Sequence, residues 1–252
     1  MRDFLKGMIF LMLGVRHLFT PGLKRFVLLP MLFNFLLFSG LFYLLYHYAF
    51  PYSNYYIDQL PSWLHFLSGL ILVIIAISFF LLFLSMFTVL FNLVAAPFNG
   101  LLAEKAQILL YETKIPSLSL TEITIRTIKR QLQFLGFFIP RFLGMVILFF
   151  VPFIHPIYPF LWFWFTAWIL SIQYQDFVMD NNLISFDVMR IKIKERTMLS
   201  LGFGSFINLL SFIPVLNLIT LPAAVIGGVL LYCEEHALLF KVDPQKRLSH
   251  KI

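Results

Sequence analysis

"VPFIHPIYP", Val151–Pro159, sets prolines at 152, 156 and 159 inside an apolar run, Phe142–Gln175, that contains no Asp, Glu, Lys or Arg. Proline has no backbone N–H and its ring clashes with the preceding turn, so a helix does not run unbroken through this stretch. The run divides into two arms, about 137–151 and 160–175. An arm of about fifteen residues covers roughly 22 Å, less than the roughly 30 Å of a hydrocarbon core. The arms read either as two thin spans or as a hairpin that enters the membrane and turns back within it; the hairpin is preferred. A second run, Thr197–Cys233, is broken by "FIPVLNLITLP", with Pro214 and Pro222, and predicts a second hairpin over about 199–233. Backbone freed at such turns must be buried in protein or line a polar cavity.

Two further uncharged runs, Phe26–Ile57 and Gln59–Ala103, predict full spans over about 26–48 and 63–95. The second exceeds what a bilayer needs and must tilt or project. The composition agrees: 60% of residues are hydrophobic and 12% charged, with a mean hydropathy of +0.89. A soluble domain carries about 25% charged residues. The expected fold is an all-α integral membrane protein. It has two long transmembrane helices, two helical hairpins partly penetrating the membrane, and amphipathic interfacial helices, as one transmembrane domain over residues 1–252.

The charges cluster in Arg2–Arg25, Glu104–Arg141, Asp176–Arg196 and Glu234–Lys251, whereas the loop Phe50–Pro61 has only Asp58. Either reading of the arms puts the four clusters on one side, which the positive-inside rule makes cytoplasmic, with both termini. The net charge of +7 is then a membrane-face property rather than a nucleic-acid footprint. In "TEITIRTIKRQLQFLGFF", Ile125, Ile128, Leu132 and Leu135 recur at helical spacing while Arg126, Lys129, Arg130 and Gln133 take other faces. That predicts a helix lying at the interface with its basic side towards anionic headgroups. "FLKGMIFLMLGVRHLF", from Phe4, is a weaker case. The N-terminus lacks a convincing signal peptide and is expected to be retained.

Catalysis finds little support. Cys233 is the only cysteine, and the six histidines, at 17, 47, 65, 155, 236 and 250, are scattered without metal-ligand spacing. The protein is read as a non-enzyme with no cofactor and no metal. Four stretches have more to offer. "TPGLKRF", Thr20–Phe26, places Lys24 and Arg25 after a Pro-Gly turn and before the first span. It reads as positive-inside anchoring, or as an anion site beside turn amides and a helix start. "NLVAAPFNGLLAEK", Asn92–Lys105, ends an apolar run in helix-breaking Pro97 and Gly100, with Asn99 as a candidate N-cap. The amides near Gly100, Leu101 and Leu102 would then be free donors, with Glu104 in the first turn and Lys105 beside it. That reads as a capped bend or as the mouth of a pathway. "FTAWILSIQYQDF", Phe165–Phe177, reads as interfacial aromatics, Trp168 and Tyr174, with Asp176 closing a hairpin arm. Arg141, after Pro140, is either a snorkelling cation or an intramembrane functional charge.

"AAPFNGLLAEK" resembles the signature of the CysZ-type sulfate transporters, bacterial inner-membrane proteins that feed cysteine biosynthesis. In the same order, "PGLKRFVLLP", "FLWFWFTAWILSIQYQDF", "DNN" at Asp180–Asn182, "FG" at Phe203–Gly204 and "IPVLNLITLPAAVIGG" are similar to the family. The resemblance implies two full spans plus partly penetrating hairpins, a homo-oligomer, and sulfate uptake without an ATP-binding subunit. It implies sulfate binding by Gly22, Leu23, Lys24 and Arg25 together with Gly100, Leu101, Leu102, Ala103 and Glu104. Asn99, Lys105 and Arg141 are candidate pathway residues. One departure is Lys24, where arginine is expected; lysine is a point charge without the bidentate fork.

The resulting expectation is ATP-independent sulfate uptake across the bacterial inner membrane, channel-like or influenced by protons, with sulfate and membrane lipids as partners and no nucleic acid. Glu104 is expected to pair with Lys24, Arg25 or Lys105. The alternatives are transport of another oxyanion, such as sulfite, thiosulfate or molybdate, and a lipid-binding scaffold acting through Arg126, Lys129 and Arg130.

Overall fold

The computed structural model describes residues 1–44, 46, 47, 51, 55, 70, 73, 74, 77, 78, 98–116 and 119–236. Every regular element among them is helical: α1 (Arg2–His17), α2 (Lys24–Leu44), α3 (98–111), α4 (Leu120–Phe149), α5 (Tyr158–Asn181), α6 (Phe186–Glu195), α7 (Thr197–Ser211) and α8 (Pro214–Leu231), closed by a π-helical turn at Tyr232–His236. The chain forms two compact units, one of residues 1–27 and 97–252 and one of residues 28–96. In the second unit α2 continues to Leu44, close to the first predicted span; the predicted span 63–95 falls largely outside the described residues.

The larger unit is held by helix backbones in direct contact. A methyl group placed on Gly7 of α1 would strike the Leu199 carbonyl of α7, and one on Gly14 the Ala223 carbonyl of α8. Gly202 and Gly204 of α7 press on the Phe4 and Ala167 carbonyls, and Gly228 of α8 on that of Tyr174. In an apolar setting, small residues let backbones close to van der Waals range, which is how membrane helices bind one another. Hydrogen bonds join the same seams. Gln175 of α5 donates to Ser171 at 2.8 Å and to Ser200 of α7 at 3.3 Å, and Asn208 of α7 donates to Thr166 of α5 at 2.8 Å. α1 was expected to be a weak interfacial helix; it is instead a core helix, with Gly7, Phe10, Leu11 and Gly14 buried.

Both proline breaks occur, with corrections. Pro152 and Pro156 shape the turn after α4, but Pro159 sits in the first turn of α5, where its missing N–H costs nothing. Pro214 opens α8 in the same way, whereas Pro222 lies inside that helix and breaks nothing. The arms also run longer than predicted. The amphipathic stretch and the first arm form one helix, α4, of 30 residues, started by a capping box in which Ser119 Oγ accepts from Glu122 N–H and Glu122 accepts from the Ser119 amide. Its partner α5 has 24 residues. Within α4, Ile125–Phe149 is apolar and long enough to cross a bilayer.

The close seams give a sharp test. Gly14→Val or Gly204→Val should cost about 3 kcal/mol or more, since backbone cannot yield as a side chain does. Gly144→Ala, on α4 with open space around it, should be neutral or stabilising by up to about 1 kcal/mol. Thermal unfolding of the detergent-solubilised protein measures both; equal effects at Gly14 and Gly144 would refute the packing.

Candidate functional site

The predicted site begins in a type II turn. Leu23 N–H donates to the Thr20 carbonyl at 3.0 Å across Pro21 and Gly22, and Gly22 has φ +93°. Proline at the second position and glycine at the third are what that turn requires. Leu23 then caps α2 from its backbone: its carbonyl accepts from Phe26 and Val27. Helix geometry leaves the amides of Lys24 and Arg25 without helical acceptors. Both side chains are exposed, the Arg25 guanidinium lying 5.1 Å from the Phe26 ring centroid, while Leu23 is fully buried. Two cations and two free amides thus share one helix start, the arrangement that binds oxyanions.

The second stretch lies against this turn. The Gly22 Cα faces Leu109 of α3, whose Cδ1 would be 3.1 Å from a methyl group on that glycine. The "GLKR" turn therefore meets α3 at Leu109, beyond the "GLLAE" stretch on the same helix. On α3, Leu102, Ala103 and Ala106 are buried and hold the helix down, while Gly100, Leu101, Glu104 and Lys105 are half-buried.

α3 is oriented by the end of α5. Asn181 Nδ2 donates to the Gly100 carbonyl at 2.8 Å, and Gln107 and Asn182 exchange side-chain amide bonds at 2.8 and 3.2 Å. At its far end, Tyr111 donates to Glu234 of the π-helical turn at 3.1 Å.

Several expectations change here. Residues 98–100 are already helical, so Asn99 is inside α3 and caps nothing. Leu101 and Leu102 then lie at least four residues into the helix, and their amides are spent in its ladder. Among the described residues the Glu104 and Lys105 side chains make no ion pair or hydrogen bond, so the expected brace to Lys24, Arg25 or Lys105 does not form. Arg141 stays on its own helix, donating to the Phe137 carbonyl at 2.6 Å and stacking 3.7 Å from the Phe137 centroid. Tyr174 is buried beneath Gly228 rather than placed in an interfacial belt.

The basic face of α4 also differs from its prediction. Arg126 and Arg130 turn inward to α5. Arg126 Nε and Nη2 bond Asp180, and Arg130 Nε reaches Asp176 Oδ1 at 2.7 Å. Arg130 also donates to the Ile184 carbonyl at 3.1 Å. Only Lys129 of the three cations points outward, exposed. Two acids four residues apart on α5 meeting two arginines four apart on α4 is a legible pairing, but Asp180 was noted only as part of "DNN". A second ion-pair group, Lys6 and Arg196 on Glu235 with Asp3 near Arg196, ties α1 and the start of α7 to the π-helical turn.

The fold and this site define a helical membrane protein whose polar chemistry is gathered at the charged ends of tightly packed helices. A family model described as "Sulfate transporter CysZ/Etoposide-induced protein 2.4" matches residues 10–222, and the chain belongs to that family. It is similar to proteins named Sulfate transporter CysZ. That of Pectobacterium atrosepticum is 35% identical over 244 residues, 95% of this chain and 89% of the relative. That of Pseudomonas fluorescens is 36% identical over 92% of this chain and 94% of the relative. That of Salmonella typhimurium is 37% identical, over 92% and 95%.

Two residues of the charged region have testable energetics. Arg130→Met strands Asp176 in a buried position and should cost about 3 kcal/mol, whereas an Arg130→Met/Asp176→Leu double substitution should recover much of it. Thermal unfolding of the three proteins decides. His236 is fully buried, and burial pushes its imidazole down to about 4, with Glu235 opposing and Arg196 assisting. A base depressed on folding contributes stability above its unfolded value of about 6.5 and loses it as pH falls towards 4. Between pH 6.5 and 5 this amounts to about 2 kcal/mol. His236→Phe should flatten that part of the stability profile.

Proposed function

We propose that this protein takes up sulfate across the bacterial inner membrane without ATP, supplying cysteine biosynthesis. The observation that supports the reading is the packing of Gly22 against Leu109, which sets the turn before the cationic start of α2 against the helix that carries "GLLAE". In this reading Gly22, Leu23, Lys24, Arg25 and Gly100–Glu104 form the sulfate site. Lys24 and Arg25 supply charge and free amides, Gly22 supplies the turn, and buried Leu102 and Ala103 position α3. The charged side is cytoplasmic with both termini, and the protein acts as a homo-oligomer among membrane lipids. Residues 26–48 and 63–95 form the full spans. α7 and α8, with 15 and 18 residues, are the shorter hairpin; α4 and α5 are long enough to cross.

Sulfate carries two negative charges, and entry against an inside-negative potential costs about 2.3 kcal/mol per charge per 100 mV. The sum, roughly 4.6 kcal/mol, is a little over three decades in concentration ratio at about 1.4 kcal/mol per decade. Uptake therefore depends on low internal sulfate or on protons that cancel charge. Glu104, half-buried and unpaired among the described residues, is the acid in place to supply such proton dependence. The scaffold alternative loses support because the relatives that this chain resembles over nine-tenths of its length are named as sulfate transporters.

Proteoliposomes carrying the purified protein should take up labelled sulfate, and Lys24→Ala/Arg25→Ala should lower uptake at least about tenfold, the worth of one charge-assisted hydrogen bond. Absence of flux in the wild-type protein overturns the reading, and preferential competition by thiosulfate, sulfite or molybdate reassigns the substrate. Glu104→Gln should alter the pH dependence of sulfate flux; an unchanged profile removes the residue from any gating role.

A further inference from the structure

The α4 helix and the turn between α5 and α6 enclose an open cleft of about 480 Å³. Arg126, Lys129 and Gln133 line one wall; Ser185 and Phe186, the start of α6, line another. The sulfate neighbourhood on α2 and α3 contributes nothing to its lining.

The cleft presents prearranged donors. Arg126 bonds Asp180 through Nε and Nη2 only, leaving both Nη1 hydrogens for a ligand. Asp180 is itself taken up by Arg126 and Arg130, and the Glu122 carboxylate by Ser119, so the acids in the lining are already engaged. Ser185 spends its hydroxyl on Val188 N–H, which leaves the amides of Phe186 and Asp187 without helical acceptors. Lys129 is exposed and, among the described residues, has no ion pair or hydrogen bond. These groups suit one tetrahedral oxyanion.

The surface beside the cleft selects the source of that oxyanion. Ile125, Ile128 and Leu132 of α4 are 63%, 50% and 63% exposed. At about 100° per residue they form the stripe next to Lys129, so the lysine stands between the cleft and an apolar face. A free anion has no use for that face; an acyl chain does. We propose that this cleft binds the phosphate of an anionic glycerophospholipid, between Arg126, Lys129 and the start of α6, with Gln133 towards the glycerol and an acyl chain along the Ile125–Leu132 stripe.

The test uses the delipidated full-length protein in detergent, titrated with phosphatidylglycerol, phosphatidylcholine, inorganic phosphate or sulfate. Native mass spectrometry counts adducts and the melting temperature reports binding. Phosphatidylglycerol should give a single retained adduct and a raised melting temperature. Lys129→Gln, at an exposed position, should weaken that binding about fivefold, the worth of one basic side chain at an anionic surface. Lys194→Gln removes the same charge from an exposed site outside the cleft and should leave binding unchanged. Equal weakening by the two variants overturns the proposal in favour of diffuse attraction. Equal protection by phosphatidylcholine overturns the requirement for an anion. Protection by phosphate or sulfate alone that is lost in Lys129→Gln overturns the lipid and makes the cleft a free-oxyanion site.

Discussion

Where α1, α5, α7 and α8 meet, peptide backbones touch, because Gly7, Gly14, Gly202, Gly204 and Gly228 leave no side chain between them. In water such seams would add little to ordinary hydrophobic packing. In lipid, apolar side chains gain almost nothing by leaving the solvent, and dispersion at close approach becomes the main attraction. The glycines cannot be traded for larger apolar residues, since each occupies the space in which a neighbouring carbonyl stands. α1 lies in these seams through Gly7 and Gly14.

Two polar layers rest on that packing. In one, Gln175 donates to Ser171 and Ser200, and Asn208 to Thr166, across α5 and α7. In the other, α5 delivers Asp176, Asp180, Asn181 and Asn182 in one stretch and divides them between two partners. The acids take the arginines of α4, and the amides take Gly100 and Gln107 of α3. One helix end thus fixes both α4 and the helix that bears the candidate sulfate residues. Leu183 completes it in a left-handed conformation, φ +60°, with Ile184 N–H returning to the Met179 carbonyl. That closes the helix as a Schellman motif without its usual glycine.

Much of this was legible in the sequence because proline and charge act locally. The breaks at Pro152 and Pro214, the helical class and the pairing of a turn with Lys24 and Arg25 are all set by residues close together in the chain. What misled were quantities that depend on partners. Arm length came from counting between prolines, but Pro159 and Pro140 sit where a helix tolerates or absorbs them, so the helices continue past the counted limits. The basic face of α4 looked outward because Asp176 and Asp180 lie 46 or more positions further on. α1 looked interfacial because its two glycines carry no periodic signal, though they decide its burial. Asn99 looked like a cap because its type suits one, and its helix nonetheless begins earlier.

The Lys24 departure gains a physical meaning from the turn. A bidentate arginine fork would bind one anion in one orientation and release it slowly. In the proposed site, a lysine beside Arg25, at a helix start with free amides, would attract the same double charge with fewer geometric demands. Conduction needs binding strong enough to concentrate the ion and weak enough to let it leave. A site assembled from one fork, one point charge and fixed backbone dipoles is closer to that balance than two forks would be. Because Gly22 sets the turn and Leu23 is buried, the backbone that carries the two cations is held in place while both side chains stay exposed.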